Sequence, residues 1–188
     1  GLRAGATQLP LSFSLSAAPA LVLTLQPQPG ETWQLDADFG GAAPRGQLKL
    51  VNAQLERLGN WLAAEQPRPS KGRADGVLTL GPMRDGASTL SGTLSLADVA
   101  FSDAVSARVG EGLAGRLSLD ANSQRDGAWR WRADLALTQG ELFWTPLYLQ
   151  QMPVRVSASG VYGAQGMREV ALAAQLNGVG ALDAKLRF

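Results

Sequence analysis

Leucine alternates with small or polar residues along most of the chain. The phrase Gly-x-Leu-x-Leu occurs four times, beginning at Gly46, Gly76, Gly92 and Gly115. Successive side chains of a β-strand point to opposite faces, so leucine at every second position predicts strands with one apolar and one polar face. The repetition of the phrase predicts that one kind of strand is used again and again to build a single sheet.

Turn-rich breaks separate the alternating runs. The predicted strands lie around residues 9–15, 21–25, 33–39, 46–50, 76–80, 90–96, 99–101, 113–121, 129–137, 154–158, 170–176 and 182–188. Connections that are mostly shorter than about ten residues favour antiparallel neighbours over parallel strands joined by helices. Pro10 cannot donate a ladder hydrogen bond, so the first strand is predicted to lie at an edge or to carry a bulge. The fold class that follows is mainly β, with a long antiparallel meander sheet.

The alternation changes parity between residues 90 and 101. Leu94 and Leu96 occupy even positions, whereas Val99 and Phe101 occupy odd ones. A change of parity moves later side chains to the other face unless one extra residue is inserted. We therefore predict a bulge or turn near residues 97–98, followed by a separate short strand at 99–101.

Residues 52–65 depart from the strand period and predict one helix. Leu55, Leu58 and Leu62 recur at i, i+3 and i+7, which is the spacing of an amphipathic α-helix of about three to four turns. Asn52 is a candidate N-cap, and Pro67 follows the last predicted turn.

Composition excludes several kinds of chemistry. The chain of 188 residues has 45% hydrophobic and 18% charged residues, a net charge of +1, no cysteine and no histidine. The absence of a basic cluster argues against nucleic-acid binding. The absence of cysteine and histidine removes thiol nucleophiles, Ser-His-Asp triads and the commonest zinc ligands. We predict that the chain is not an enzyme and has no catalytic residues, no cofactor and no metal site.

The two patterns that suggest ion or cofactor chemistry have simpler interpretations. Asp36 and Asp38 lie two apart on a predicted strand, a spacing open to cation binding, but alternation predicts that they belong to a solvated face. Residues 110–115 read Gly-x-Gly-x-x-Gly, which binds dinucleotides only between a strand and a helix. No helix follows here, so we predict a glycine-rich hairpin turn.

Two aromatic segments have both a structural and a binding interpretation. Residues 129–132, Trp-Arg-Trp-Arg, interleave aromatic and basic side chains, as in a platform that binds single-stranded nucleic acid. A strand would place both tryptophans on one face and both arginines on the other, and the favoured prediction is two core tryptophans behind a cationic, solvent-exposed face. The cluster Phe143, Trp144, Leu147 and Tyr148 fits either an exposed ligand or membrane contact, or a corner of the core. The core corner is the favoured prediction.

The repeated Gly-x-Leu-x-Leu strands, with residues 96–104 between them and residues 140–149 after them, resemble the periplasmic part of the AsmA-like superfamily of Gram-negative bacteria. The superfamily includes TamB-type and bridge-like proteins, and the resemblance covers mainly residues 76–188. It implies a twisted sheet curled into a groove or partial barrel with an apolar interior. It also implies a role in conducting phospholipid acyl chains or in supporting outer-membrane assembly.

On this basis we expect residues 1–188 to form one β-rich domain, a segment of a longer periplasmic envelope protein anchored to the inner membrane by sequence outside it. The residues predicted to line an apolar lipid-binding groove are Leu94, Leu96, Leu117, Leu119, Trp131 and Leu135. The expected partners are phospholipid or another lipid, and envelope or secretion proteins. Two alternatives stay open: a β-rich subunit of a secretion assembly, such as the type II secretion N component, and a β-sandwich recognition module with a sealed apolar face.

Overall fold

A computed structural model describes residues 3–4, 7–8, 11–15, 20–40, 45–61, 66–82, 87–124, 126–150, 153–163, 166–176 and 180–187. The strands are β1 (Arg3–Ala4), β2 (Thr7–Gln8), β3 (Leu11–Leu15), β4 (Ala20–Leu25), β5 (Thr32–Asp38), β6 (Arg45–Gln54), β7 (Arg68–Pro82), β8 (Ser88–Ser102), β9 (Arg108–Ser123), β10 (Trp129–Trp144), β11 (Leu147–Gln150), β12 (Val154–Gly163), β13 (Gly166–Leu176) and β14 (Gly180–Arg187). Within this described part, the helical segment is a 3₁₀ helix, η1 (Leu55–Trp61).

The predicted mainly β meander is confirmed. Strands β3 to β10 and β12 to β14 form one antiparallel sheet in which neighbours in sequence are neighbours in space, while β11 pairs with the end of β10. The short strands β1 and β2 pair separately. The end strands β3 and β14 do not pair with each other, so the sheet is not closed into a barrel. β3 is an edge strand, as Pro10 predicts, although Pro10 itself lies outside the described residues.

The predicted parity break near residues 97–98 is a β-bulge. The pairing of β8 with β9 shifts register between Leu96 and Val99, and Asp98 has a φ of 54°. The extra residue returns Val99 and Phe101 to the side on which they pack beside Leu113. The prediction of a separate strand at 99–101 is wrong, because the bulge lets β8 continue to Ser102.

Similar irregularities run across five neighbouring strands and define what we call the bulge line. Positive φ angles mark Asn52 (50°), Gly72 (126°), Asp98 (54°), Gly112 (57°) and Gly140 (110°). The ladders shift register beside these positions on β6 to β10. Bulges increase strand twist and bending, so a line of them bends the whole sheet at one place. The predicted hairpin turn at 110–115 is wrong: this segment lies inside β9 and contributes to the bulge line.

The most buried apolar cluster lies beside the bulge line. Leu113, Leu137, Leu149 and Val154 are its buried members, and five half-buried residues pack against them: Val99, Phe101, Leu135, Leu142 and Val156. The tightly buried part of the core is confined to this cluster, and few large side chains elsewhere in the described chain are fully buried. A single-layer sheet has no second layer to enclose a continuous core.

The helix predicted within residues 52–65 is present but is not an α-helix. Leu55 and Leu58 are three apart, a spacing that fits the three residues per turn of the observed 3₁₀ helix equally well. Leu62 lies outside the described residues. The prediction of Asn52 as an N-cap is wrong, because Asn52 belongs to β6 and its backbone N–H donates to Asp75 Oδ1 at 2.7 Å.

A buried ion pair attaches η1 to the sheet. The Glu31 side chain is fully buried, and its carboxylate accepts hydrogen bonds from Arg57 Nε (3.0 Å) and Arg57 Nη2 (2.9 Å). The same carboxylate accepts hydrogen bonds from Trp33 Nε1 at 2.8 Å and from the backbone N–H of Gln54 at 3.1 Å. Strands β5 and β6 therefore meet η1 at one carboxylate.

Candidate functional site

Register alignment gathers the leucines into continuous rows on one face of the sheet. Residues directly opposite each other in an antiparallel ladder share a face. The middle row, from β4 to β13, consists of Leu25, Trp33, Leu50, Gly76, Leu94, Leu117, Leu135, Val156 and Ala174. The next row consists of Leu23, Leu35, Leu48, Leu78, Gly92, Leu119, Ala133, Ala158 and Leu172. We call this surface the leucine face.

Two further rows flank the first two. The outer row on one side is Leu21, Ala37, Gly46, Leu80, Leu90, Ala121, Trp131, Gly160 and Val170. The row beside the bulge line is Ala53, Ala74, Leu96, Gly115, Leu137 and Val154. Every position in the four rows is apolar or glycine.

The six predicted groove residues all lie on this face, on the adjacent strands β8, β9 and β10. Leu94, Leu117 and Leu135 are directly opposite one another in the middle row. Leu96, Leu119 and Trp131 each occupy one of the other three rows. Sequence reasoning missed the contribution of β4 to β7, although the Gly-x-Leu-x-Leu phrases at 46–50 and 76–80 carried the signal.

Register also explains why glycine recurs in the repeated phrase. Gly92 lies opposite Leu78, and a Cβ on Gly92 would stand only 2.6 Å from Leu78 Cδ2. Gly160 lies opposite Trp131, and a Cβ there would stand 3.0 Å from Trp131 Cζ2. Large side chains thus lean over glycines on the neighbouring strand, which gives a continuous surface within one sheet layer.

The opposite surface, the polar face, is hydrophilic along the same strands. Its middle row is Thr24, Gln34, Lys49, Val77, Thr93, Ser118, Asp134, Ser157 and Ala173. Arg132 Nε donates to Asp134 Oδ2 at 2.7 Å, and Ser157 also donates to this carboxylate. Hydrogen bonds from Arg132 and then Ser157 hold the pKa of Asp134 below its ordinary value. The predicted alternation of residues 129–132 is confirmed, with Arg130 and Arg132 exposed and both tryptophans half-buried.

Asp36 belongs to the polar face, as alternation predicted. It lies opposite Gln47, and its carboxylate accepts hydrogen bonds from Gln34 Nε2 at 3.0 and 3.1 Å. Asp38 accepts a hydrogen bond from the backbone N–H of Gly40. Over the described ranges, no group of three acidic side chains is arranged to hold a metal ion.

In the described part of the chain no second large sheet is present to cover the leucine face, whose side chains are half-buried or buried. Apart from η1 against β7, the substantial contacts between elements join neighbours within a sheet. This arrangement differs from the β-sandwich alternative, in which a second large sheet would seal the apolar face. Strand spacing of about 4.8 Å and a two-residue repeat of about 6.8 Å give the face roughly 40 by 20 Å. Apolar patches on monomeric proteins rarely exceed a few hundred Å².

The aromatic cluster after β10 is more exposed than a core corner. Trp144, Leu147 and Tyr148 are all exposed, whereas Phe143 is half-buried. The favoured prediction of a core corner is therefore wrong for these three residues. They lie at the turn end of the β10–β11 hairpin, and the sequence pattern did not show that this end is left uncovered.

None of the described helical segments is long and apolar enough to cross a bilayer. Comparisons with known protein families, with curated proteins and with solved structures found no match for this chain.

Proposed function

We propose that the leucine face binds the acyl chains of phospholipid or a similar lipid, and that this is the function of the sheet. The observation that carries the proposal is the set of four continuous apolar rows with no covering layer in the described chain. The side chains of these rows are half-buried or buried, and the apolar area that they leave in contact with water is unfavourable by about 25 cal/mol per Å². A flexible hydrocarbon chain covers such a surface without requiring directional contacts.

The face is suited to selection by apolar contact alone. Its rows offer no charged group, and the ring nitrogen of Trp131 has no acceptor among the described residues. Acyl chains would lie over the rows, with polar headgroups toward the solvent. The resemblance to AsmA-like proteins supports placing this activity in the periplasm, beside an inner-membrane anchor elsewhere in the protein and in support of outer-membrane assembly.

Lipid should co-purify with the protein, and polar side chains in the middle row should remove it. In the double variant Leu94→Gln/Leu117→Gln, two directly opposed leucines are replaced. We expect bound lipid per protein, measured by native mass spectrometry and solvent extraction, to fall by more than about tenfold, because complete burial of one leucine side chain contributes up to about 1.5–3 kcal/mol and glutamine loses this contribution at two positions.

The matched control lies on the same two strands. Thr93 and Ser118 are also directly opposed but occupy the polar face, so Thr93→Gln/Ser118→Gln should leave the lipid content unchanged. Absence of lipid from the wild-type protein, or equal loss in both variants, would contradict the proposal. Capture of secretion proteins by lipid-free wild-type protein would instead favour the assembly-subunit alternative.

A further inference from the structure

Two arginines of the polar face flank a small residue on the strand between them. Arg116 of β9 and Arg155 of β12 both lie directly opposite Ala136 of β10. Neighbouring strands are about 4.8 Å apart, so the Cα atoms of the two arginines are about 10 Å apart. Ala136 has no side chain beyond Cβ, which leaves room between the two arginine side chains. We call these three residues the arginine site.

A cavity of about 390 Å³ opens over the arginine site on the polar face. Ser118 and Ser157, which flank Asp134 in the adjacent row, contribute to its lining, and so does Gln175, which lies opposite Arg155. Arginine, serine and glutamine side chains all carry hydrogen-bond donors. The cavity therefore combines two flanking cations with further donors at its border.

The charged side chains that line the cavity are three arginines and one aspartate, with a net charge of +2. The aspartate, Asp134, already has partners, because Arg132 Nε donates to it at 2.7 Å and the Ser157 hydroxyl donates to it as well. Arg116 and Arg155 are exposed, and among the described residues neither has an ion pair or a hydrogen bond. The uncompensated charge thus belongs to these two arginines.

The next carboxylates of the polar face do not neutralise the arginine site. Asp120 lies directly opposite Arg132 and interacts with its charge. Asp75 and Asp183 each lie two strands away from the nearer arginine of the site. Glu111 lies beyond the bulge line, where it interacts with the charge of Lys71. The site therefore keeps its positive charge when the surrounding acids are included.

We propose that the arginine site binds a phosphate group. A guanidinium presents its N–H donors as a planar fork that matches two oxygens of a phosphate. A phosphate directs oxygens to both sides, so Arg116 and Arg155 can each take a separate contact from opposite directions. A carboxylate has only two oxygens in one plane and satisfies a single fork. The Ser118 hydroxyl and the Gln175 amide supply further donors beside the bound group.

The arginine site is separate from the leucine face. Ala136 and Leu135 are consecutive on β10, so they lie on opposite faces of the sheet. Phosphate binding therefore does not rest on the proposed lipid binding. The recognising chemistry is the same whether the phosphate belongs to a lipid headgroup or to a soluble phosphomonoester.

Nitrogen-15 NMR of the full chain during titration with inorganic phosphate tests the proposal. We expect the Nε–H signals of Arg116 and Arg155 to shift together, with one dissociation constant on the order of 1 mM. Arg116→Gln should weaken the binding seen at Arg155 by about tenfold or more. Arg116→Lys keeps the charge but loses the planar fork, so it should weaken binding by about threefold.

Two further variants separate geometry from overall charge. Arg130 is also exposed on the polar face of β10 but does not line the cavity, so Arg130→Gln should leave phosphate binding unchanged. Ala136→Leu preserves every charge but fills the room between the two arginines, so it should weaken binding by more than about tenfold. An unchanged pattern of amide signals from the other strands establishes that each variant keeps the fold.

Absence of a shift at both arginines in the wild type would overturn the proposal. Equal weakening by Arg130→Gln and Arg116→Gln would also overturn it, because binding would then follow overall charge. Wild-type affinity in Ala136→Leu would contradict binding between the two arginines. Acetate that binds as tightly as inorganic phosphate would overturn the assignment to phosphate.

Two more probes distinguish the sources of the phosphate. Tighter binding of methyl phosphate would support the site as one for soluble phosphomonoesters, and tighter binding of monomeric dihexanoyl phosphatidylglycerol would support it as one for lipid headgroups. Failure of both to shift the Arg116 and Arg155 signals would overturn the proposal. Leu94→Gln/Leu117→Gln should bind inorganic phosphate as the wild type does, so a failure of lipid binding on the leucine face is distinguishable from a failure of the arginine site.

Discussion

Replacing Gly115 with alanine is expected to lower the free energy of unfolding by about 3 kcal/mol, the upper part of the range for overpacking a tight site. Gly115 lies on the leucine face, opposite Leu96 and Leu137. A Cβ at this position would clash with the carbonyl oxygen of Ala136 and stand 2.9 Å from Leu137 Cα. These are backbone atoms of β10, so they can move only by disturbing the ladder. Urea unfolding of the two proteins measures the difference.

The matched control is Gly46, the glycine that begins another Gly-x-Leu-x-Leu phrase. A Cβ on Gly46 would have the carbonyl oxygen of Asp36 at 3.4 Å and Leu80 Cβ at 3.9 Å, which are ordinary contacts. Gly46→Ala should therefore change stability by less than about 0.5 kcal/mol, or raise it slightly by restricting the unfolded chain. Equal destabilisation by both alanines would show that close strand approach at Gly115 is not what requires glycine.

Replacing Arg57 with methionine should cost about 3 kcal/mol of unfolding free energy, because it leaves a buried carboxylate without its cationic partner. Glu31 is 1% exposed and is the most completely buried large side chain in the described chain. Arg57 supplies both the charge and a two-atom hydrogen-bonded contact. Methionine keeps a long apolar stem, so the change isolates the guanidinium. Thermal and urea unfolding provide the measurement.

The same pair predicts a pH dependence of defined sign. Burial alone would raise the pKa of Glu31, but the hydrogen bonds from Arg57, Gln54 and Trp33 outweigh it and hold the pKa below its ordinary 4.5. A carboxyl with a lowered folded-state pKa contributes stability that is fully present above pH 4.5. That stability is lost as the pH falls through the folded value. Unfolding curves between neutral and acidic pH should show this loss in the wild type and a smaller one in Arg57→Met.

Arg132→Met controls for loss of an arginine from an ion pair. Its partner Asp134 lies 2.7 Å away, but the two side chains are largely exposed on the polar face. Exposed ion pairs contribute little to stability, so this variant should unfold at nearly the same urea concentration as the wild type. A cost as large as that of Arg57→Met would contradict the assignment of the larger effect to burial of Glu31.

Period-two alternation was sufficient to predict the meander, because each strand has one apolar face and short connections to its neighbours. The parity change between Leu96 and Val99 even located a bulge. The other bulges were not foreseen, since Gly72, Gly112 and Gly140 interrupt runs in which glycine is common. The helix type was ambiguous because Leu55 and Leu58 satisfy both the 3₁₀ and the α-helical spacing.

The candidate site was predictable in its residues but not in its extent. Alternation places Leu94, Leu117 and Leu135 on apolar faces, but only strand register shows that they are directly opposite one another. Exposure of Trp144 and Tyr148 was not predictable from the pattern. It depends on whether another part of the chain packs over the end of the β10–β11 hairpin, which is a property of the whole fold rather than of the local sequence.

Photo-cross-linking at two consecutive residues of β9 tests the lipid-binding proposal most directly. Leu117 lies on the leucine face and Ser118 on the polar face, so a benzophenone amino acid at each position samples opposite sides of one strand. After irradiation with phospholipid vesicles, mass spectrometry should find lipid adducts when the cross-linker replaces Leu117 and few or none when it replaces Ser118. Equal labelling at both positions, or no lipid adduct at position 117, would contradict acyl-chain binding by the leucine face.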